Sequence, residues 1–388
     1  MAKKIYLDYA STTPVDPLVL KAMLPYFSKK FGNTMSFHKM GADVSDAVEK
    51  AREEIARVIN AKPNEIIFTS SATEANNLAL KGIAWASQRR GKHIIISSIE
   101  HDSVLNTANW QETQGFEVSK LPADKNGFID INTLENAIRK DTILVSLIHA
   151  NNEIGTIQNI EKLGEFCKKH NVYFHTDASQ SFSKIPIDVK KDNIDLLTAS
   201  SHKIYGPKGA GFLYLKSGIL IVPLLHGGGH EHNLRSSTLN VPSIIGFAKA
   251  AKLTWQNSNS ESKGLTKLRD KLIDGILKNI PKTKLNGDPK KGLPNIANIT
   301  FSFIEGESLL LELNLAGIYA STGSACSSPS LSPSHVLMAI GKNAQDAHGS
   351  IWFSLGRWTS EEDINYVLKV LPVIVKRLRQ VSPFKNKL

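Results

Sequence analysis

Over its first two thirds the chain repeats one pattern: a short, continuous apolar run, then a longer segment with apolar residues at helical spacing. The runs are EIIFT (65–69), HIIIS (93–97), FEVSKL (116–121), TILVSLI (142–148), VYFHT (172–176), IDLLTA (194–199) and GFLYL (211–215). Most are continuous rather than alternating, which suits strands covered on both faces. Amphipathic segments lie between them, including 43–60, 72–87 and 159–170. This alternation constrains the chain to an α/β layer structure, with a mainly parallel seven-stranded sheet and helices on both faces. After about residue 258 the pattern changes. Residues 262–280 read as helix and 295–303 as strand, and a last helix opens at a Thr359-x-x-Glu362 capping box. The expected organisation is a large domain, 16–258, and a smaller α+β lobe built from 1–15 and 259–388.

Composition removes several classes of function. The longest apolar stretch, GILIVPLL (218–225), is too short to span a bilayer, and MAKKIYLDYA has no apolar run of signal-peptide length, so a cytoplasmic protein is expected. The net charge is +11, but the lysines are scattered and no basic stripe carries interleaved aromatics, so direct nucleic-acid binding is not supported. Two cysteines, Cys167 and Cys326, make neither a disulfide framework nor a metal cluster. Cys167 sits in a helical pattern, EFCKKH. Cys326 sits in GSACSSPSLSPS, a loop composition, where a retained thiol invites a chemical reading.

In open α/β sheets ligands gather at the carboxyl ends of the strands. The first expected strand runs into SSATEANN, where Ser71-x-x-Glu74 is a second capping box and a possible anion site at a helix start. Later strand ends carry His101, then Asn152, then Asp177 and Gln180, then Ser200, His202 and Lys203. Each alone is an ordinary polar residue; together they describe a shared site. Hydroxyls and helix amides (Thr73, Ser200, His202) suit a phosphate. A carboxylate (Asp177) suits a protonated pyridine nitrogen, an imidazole (His101) can cover a flat ring, and a lysine amine (Lys203) can condense with an aldehyde. That set matches a pyridoxal 5'-phosphate pocket. A rival metal reading of His226, His230 and His232 lacks supporting spacing, and a close-packed glycine-rich loop presenting Arg235 and Thr238 is preferred; no metal is expected.

Nearly end to end, the chain resembles the cysteine desulfurases of the iron–sulfur-cluster and nitrogen-fixation type, within the class V aminotransferase-like enzymes. The resemblance rests on YLDYASTTPVDP (6–17), FTSSATEANNLALKG (68–82), EHDSV (100–104), NNEIGTIQ (151–158), HTDASQS (175–181), SSHKIYGPKGAG (200–211), GGGHEHNLRSSTLNVP (227–242), GSACSS (323–328) and SLGRWTSEEDI (354–364). It implies a homodimer of pyridoxal-phosphate fold type I. It also implies that Lys203 bonds the cofactor, Asp177 partners the ring nitrogen, His101 stacks on the ring and Gln180 touches its phenolic oxygen. Thr73, Ser200 and His202 would bind the phosphate, with Thr238 contributed by the neighbouring subunit, and Asn152 would lie against cofactor and substrate. The implied reaction removes sulfur from L-cysteine, leaving L-alanine and a persulfide on Cys326. Lys203 takes the α-proton and His101 is a candidate proton carrier. The acceptor would be an iron–sulfur scaffold, a tRNA-thiolation component or a DNA-phosphorothioation component.

One departure bears on the substrate. In GSIWFSLGR (349–357) Trp352 stands where similar enzymes usually have an arginine that holds the substrate carboxylate. Asn152, Arg235 or Arg357 could take over that task. Alternatively the substrate is another sulfur or selenium amino acid, or the chain is a weakly active paralogue that chiefly binds a partner. Smaller departures are His232 and Asn233, where Arg-Gly is usual, and Ser237, where Gly is usual.

Overall fold

The structure is a computed structural model that describes residues 4–323 and 332–383. All seven expected strands form one sheet, in the order Ile66–Thr69, Gly211–Leu215, Leu196–Ser200, Tyr173–Asp177, Thr142–Ser146, His93–Ser97, Glu117–Leu121. The five from Leu196–Ser200 to Glu117–Leu121 pair in parallel, and Gly211–Leu215 runs antiparallel to both its neighbours. Successive side chains point to opposite faces, so Ile94 and Ile95, Leu144 and Val145, Leu196 and Leu197 enter different cores on the two sides of the sheet. Double burial is why these strands lack polar alternation. The edge strand Glu117–Leu121 is the exception, with Glu117 and Lys120 exposed.

The polar residues singled out in the sequence lie at one edge of this sheet, because the parallel strands all end there. Gly211, where the reversed strand begins, is at the same edge, paired with Thr69 and Ser200. A Cβ at Gly211 would meet the Ser71 carbonyl carbon at 2.5 Å. Its absence lets the start of helix Ala72–Ser87 close onto the edge.

The second core gathers Ile5 and Leu7 with Leu272, Ile299, Phe301, Ile351, Phe353, Leu371 and Val375, so the N-terminal segment packs with the C-terminal part. Its sheet is antiparallel, Ser350–Ser354 and Thr283–Asn286 flanking Ile296–Phe301. The helix expected over 262–280 is longer. One helix runs Val241–Asn279, its first part packed in the sheet's core through Phe247 and Ala251 and its last part in the second core through Leu272 and Ile276. The 258/259 boundary therefore falls within continuous helix. The polar run QNSNSESK (256–263) is the solvated middle of this helix.

Both capping boxes are corrected in detail. The last helix, Glu361–Val381, is capped one residue later than expected: Ser360 Oγ accepts the Asp363 N–H at 3.2 Å and Asp363 Oδ2 accepts the Ser360 N–H at 3.0 Å. Thr359 instead accepts from the Gly356 N–H. At the other box Ser71 Oγ does accept the Glu74 N–H, but the Glu74 carboxylate takes the Ser70 N–H and hydroxyl and pairs with Arg235. No described helix is long and apolar enough to cross a membrane.

Candidate active site

Thr73, His101, Asn152, Asp177, Gln180, Ser200, His202, Lys203 and Trp352 line one cavity of about 290 Å³ at the sheet edge, with Ala10, Ser11, Ser71 and Ser103. Asp177 ends its strand and is buried at the cavity floor. Ser179 donates to Asp177 Oδ1 from both N–H (2.9 Å) and Oγ–H (2.6 Å), and Asn76 donates to Oδ2 at 2.8 Å. Asn76 is fully buried, and it also donates to Ser103 and accepts from Thr198. Sequence reasoning missed Asn76. Its signal was an amide on the buried Ala75, Leu78, Ala79, Ile83 face of the helix.

Lys203 lies on the single 3₁₀ turn Ser201–Lys203 that follows its strand. Its Nζ donates to the carbonyls of Ala10 (2.6 Å) and Ser11 (2.9 Å). The segment that supplies them is strapped across the lysine turn. Thr13 donates from N–H and hydroxyl to the His202 carbonyl and accepts the Tyr205 N–H. Tyr205 has φ 67°, the left-handed turn that sends the chain back into the sheet. The YLDYASTTP motif and the SSHKIYG motif are thus two halves of one structure.

Two imidazoles border the cavity and both are weak bases. Burial, reinforced by Lys203, brings His202 down to about 4, so it is neutral at pH 7. His101 caps helix Asp102–Thr113, its Nδ1 accepting the Ser103 N–H at 3.1 Å, which leaves the proton of the neutral ring on Nε2. Although the ring presents open surface to the cavity, desolvation lowers its pKa, with Asp177 opposing. Beneath it, Glu100 is fully buried, and burial raises its carboxyl to about 8. Ser97 donates to Glu100, and the Ile148 N–H donates to it at 2.8 Å, tying the turn that carries His101 to the one that leads to Asn152.

The other expected site residues are elsewhere. Arg235 Nε pairs with Glu74 at 2.7 Å, Arg357 pairs with Asp16 (2.6 Å) and Glu261 (2.7 Å) and lies over the Tyr205 ring, and neither lines the cavity. Thr238 is exposed and does not line it either. Its loop is fixed to the sheet by a buried bidentate pair between Glu231 and Arg52, with the Phe68 N–H also on Glu231. His232 (φ 58°), Asn233 (φ 65°) and Ser237 (φ 149°) all adopt positive φ, so two of the positions where glycine is usual are conformations that favour it. Cys326 lies outside the described residues. Cys167 is buried in the core, its thiol pKa pushed up by burial.

The donor set fits pyridoxal phosphate. Helix Ala72–Ser87 brings first-turn amides and a positive dipole end to the cavity through Ser71, Ala72 and Thr73, as a phosphate requires. A buried carboxylate held by three donors suits a pyridinium nitrogen. Gln180 donates to the Ala10 carbonyl and leaves Oε1 buried and unfilled, so as it stands it would accept from a ring hydroxyl.

The comparisons agree. A family model described as Aminotransferase class-V matches residues 5–367. The cysteine desulfurase IscS of Methanosarcina thermophila is 53% identical over 385 residues, 99% of this chain and 95% of that one. Among solved structures, a NifS-like protein matches with TM-score 0.91 at 38% identity, over 97% of this chain and 100% of that chain. SspA in complex with cysteine matches with TM-score 0.82 at 38% identity, over 92% and 100%. Fold and site together define a pyridoxal-phosphate-dependent enzyme of fold type I, and the chain belongs to the class V aminotransferase family. Within that family it is a cysteine desulfurase.

Proposed function

We propose that Cys326 receives the sulfur of L-cysteine as a persulfide and passes it to an iron–sulfur scaffold protein, with Lys203, Asp177, His101, Gln180, Thr73, Ser200 and His202 holding the cofactor. The observation that carries this reading is that Asp177, Lys203 and the open helix start at Ser71–Thr73 line the same cavity. Asp177 would partner the ring nitrogen of a bound pyridoxal phosphate, which would supply a sink for the electron pair left at the substrate's α-carbon. Lys203 would take the substrate's α-proton and return it to the α-carbon after the sulfur has left. His101 covers the ring and, with its proton on Nε2, can hand one on at the cavity mouth. The Cys326 thiolate attacks the substrate sulfur. The S–S bond forms as the substrate's Cβ–S bond breaks, and the pair left on carbon is protonated to give the alanine methyl group.

The chain works as a cytoplasmic homodimer whose lobes divide as 16–258 and 1–15 with 259–388. Leu18, Leu24, Phe27, Phe31, Met35 and Phe37 are exposed in one N-terminal stretch, a surface suited to a second copy. Thr238, which is outside its own subunit's cavity, reaches the neighbour's phosphate. Borohydride reduction of the holoenzyme tests the site. The cofactor should be fixed on the Lys203 peptide and absent from a Lys203→Ala variant; its recovery on any other lysine would overturn the assignment.

A further inference from the structure

Lys203 is the only lysine or arginine among the described residues that line the cavity. Trp352 sits on strand Ser350–Ser354 between Ile351 and Phe353. Those two enter the second core, so the indole faces the opposite way, into the cavity. It is 2% exposed, and its Nε1–H faces the Asp8 carboxylate without closing a full hydrogen bond. Close by is a carboxylate. Asp8 accepts from Ser11, and burial raises its pKa, while Ser11, Ser321, Lys203 and Trp352 oppose the rise. Asn152 adds a neutral amide to the lining. Among the described residues that line the cavity there is no arginine. Arg235 and Arg357 are held by Glu74, Asp16 and Glu261, and His202 is uncharged at neutral pH.

A carboxylate gains most from a guanidinium, which offers two parallel charge-assisted bonds. Moved instead from water to an indole N–H and an amide, beside another carboxylate, it loses hydration with little return. An ester or amide carbonyl accepts the same N–H bond and loses far less hydration. We infer that this site reads the carboxyl end of its substrate as an uncharged hydrogen-bond acceptor, so that cysteine with a blocked carboxyl group, as in an ester or amide, binds about as well as free L-cysteine. The inference rests on the desulfurase reading of the same cavity and adds a substrate class to it.

The test is equilibrium binding to the holoenzyme carrying Cys326→Ser, which cannot accept sulfur, followed by the cofactor's absorbance and by calorimetry. The ligands are L-cysteine, L-cysteine methyl ester and L-cysteinamide. The three dissociation constants should agree within about threefold. Trp352→Arg in the same background should favour the free acid over the ester by at least about tenfold, the equivalent of one charge-assisted hydrogen bond. Trp352→Phe, which keeps the ring and removes the donor, should weaken all three ligands alike by a few fold, and it serves if the arginine variant does not fold. Free acid bound thirtyfold or more tighter than the ester with Trp352 in place would overturn the inference. So would a Trp352→Phe variant that weakens the acid alone. If L-cysteine binds and loads sulfur on wild-type Cys326 while the ester does neither, this inference fails alone. If no ligand binds and no sulfur is loaded, the desulfurase reading fails with it.

Discussion

Asn76 organises the floor of the site, and replacing it with alanine measures how much of the cofactor pocket depends on one buried amide. Its three bonds go to Asp177 (2.8 Å), Ser103 (2.8 Å) and Thr198 (2.6 Å). The bond to the carboxylate is charge-assisted, about 1.5–3 kcal/mol, and the two neutral ones contribute about 1 kcal/mol each. Asn76→Ala should therefore cost about 3.5–5 kcal/mol of stability, with the Thr198 hydroxyl left without its acceptor. Cofactor affinity should fall by less. Asp177 keeps both Ser179 donors and loses one bond of three, so the dissociation constant should rise roughly tenfold, equivalent to about 1.4 kcal/mol. Chemical denaturation of the apoprotein reads the first quantity, and fluorescence titration with pyridoxal phosphate reads the second. An Asn76→Ala protein that is as stable as wild type and binds cofactor equally well would refute the claim that this amide holds Asp177 in place.

Glu100 offers a pH test. Its folded pKa, about 8, is raised above the unfolded value near 4.5, so its contribution is complete below 4.5 and is lost as pH rises through 8. Wild type should lose about 1 kcal/mol more than Glu100→Gln between pH 7 and 9, seen as a steeper fall in denaturation midpoint. Ser237→Gly relieves a φ of 149° and should stabilise the protein by about 1 kcal/mol or more; a lower melting temperature would contradict it. Breaking the buried Arg52–Glu231 pair with Arg52→Met should cost about 3–5 kcal/mol, read by urea denaturation, because the buried Glu231 carboxyl group is left without its partner. Cys167 should remain unlabelled by iodoacetamide at pH 8 in the native protein, as peptide mapping would show, since its thiol is buried with a raised pKa.

The sheet was legible because double burial leaves an unbroken apolar run for each interior strand, and the cavity was legible because parallel strands end on one edge. What escaped reading has physical causes. A solvated helix needs no apolar stripe, so the polar run in the middle of Val241–Asn279 looked like a boundary. Thr359 and Ser360 are both good caps, and only the Asp363 side chain, reaching back to Ser360, decides between them. Arg357 was open to a substrate role because its partners, Asp16 and Glu261, are 341 and 96 residues away in sequence. Asn76 was hidden because an amide in a helix reads as surface until its three partners, from three other elements, are in view.

The central claim is tested most directly by the mass of the Cys326 peptide after purified holoenzyme is incubated with L-cysteine without reductant. One added sulfur on that peptide, accompanied by L-alanine and abolished in Lys203→Ala, is the expected result. Bound cofactor with no sulfur at Cys326, or sulfur carried on Cys167 instead, would contradict the account.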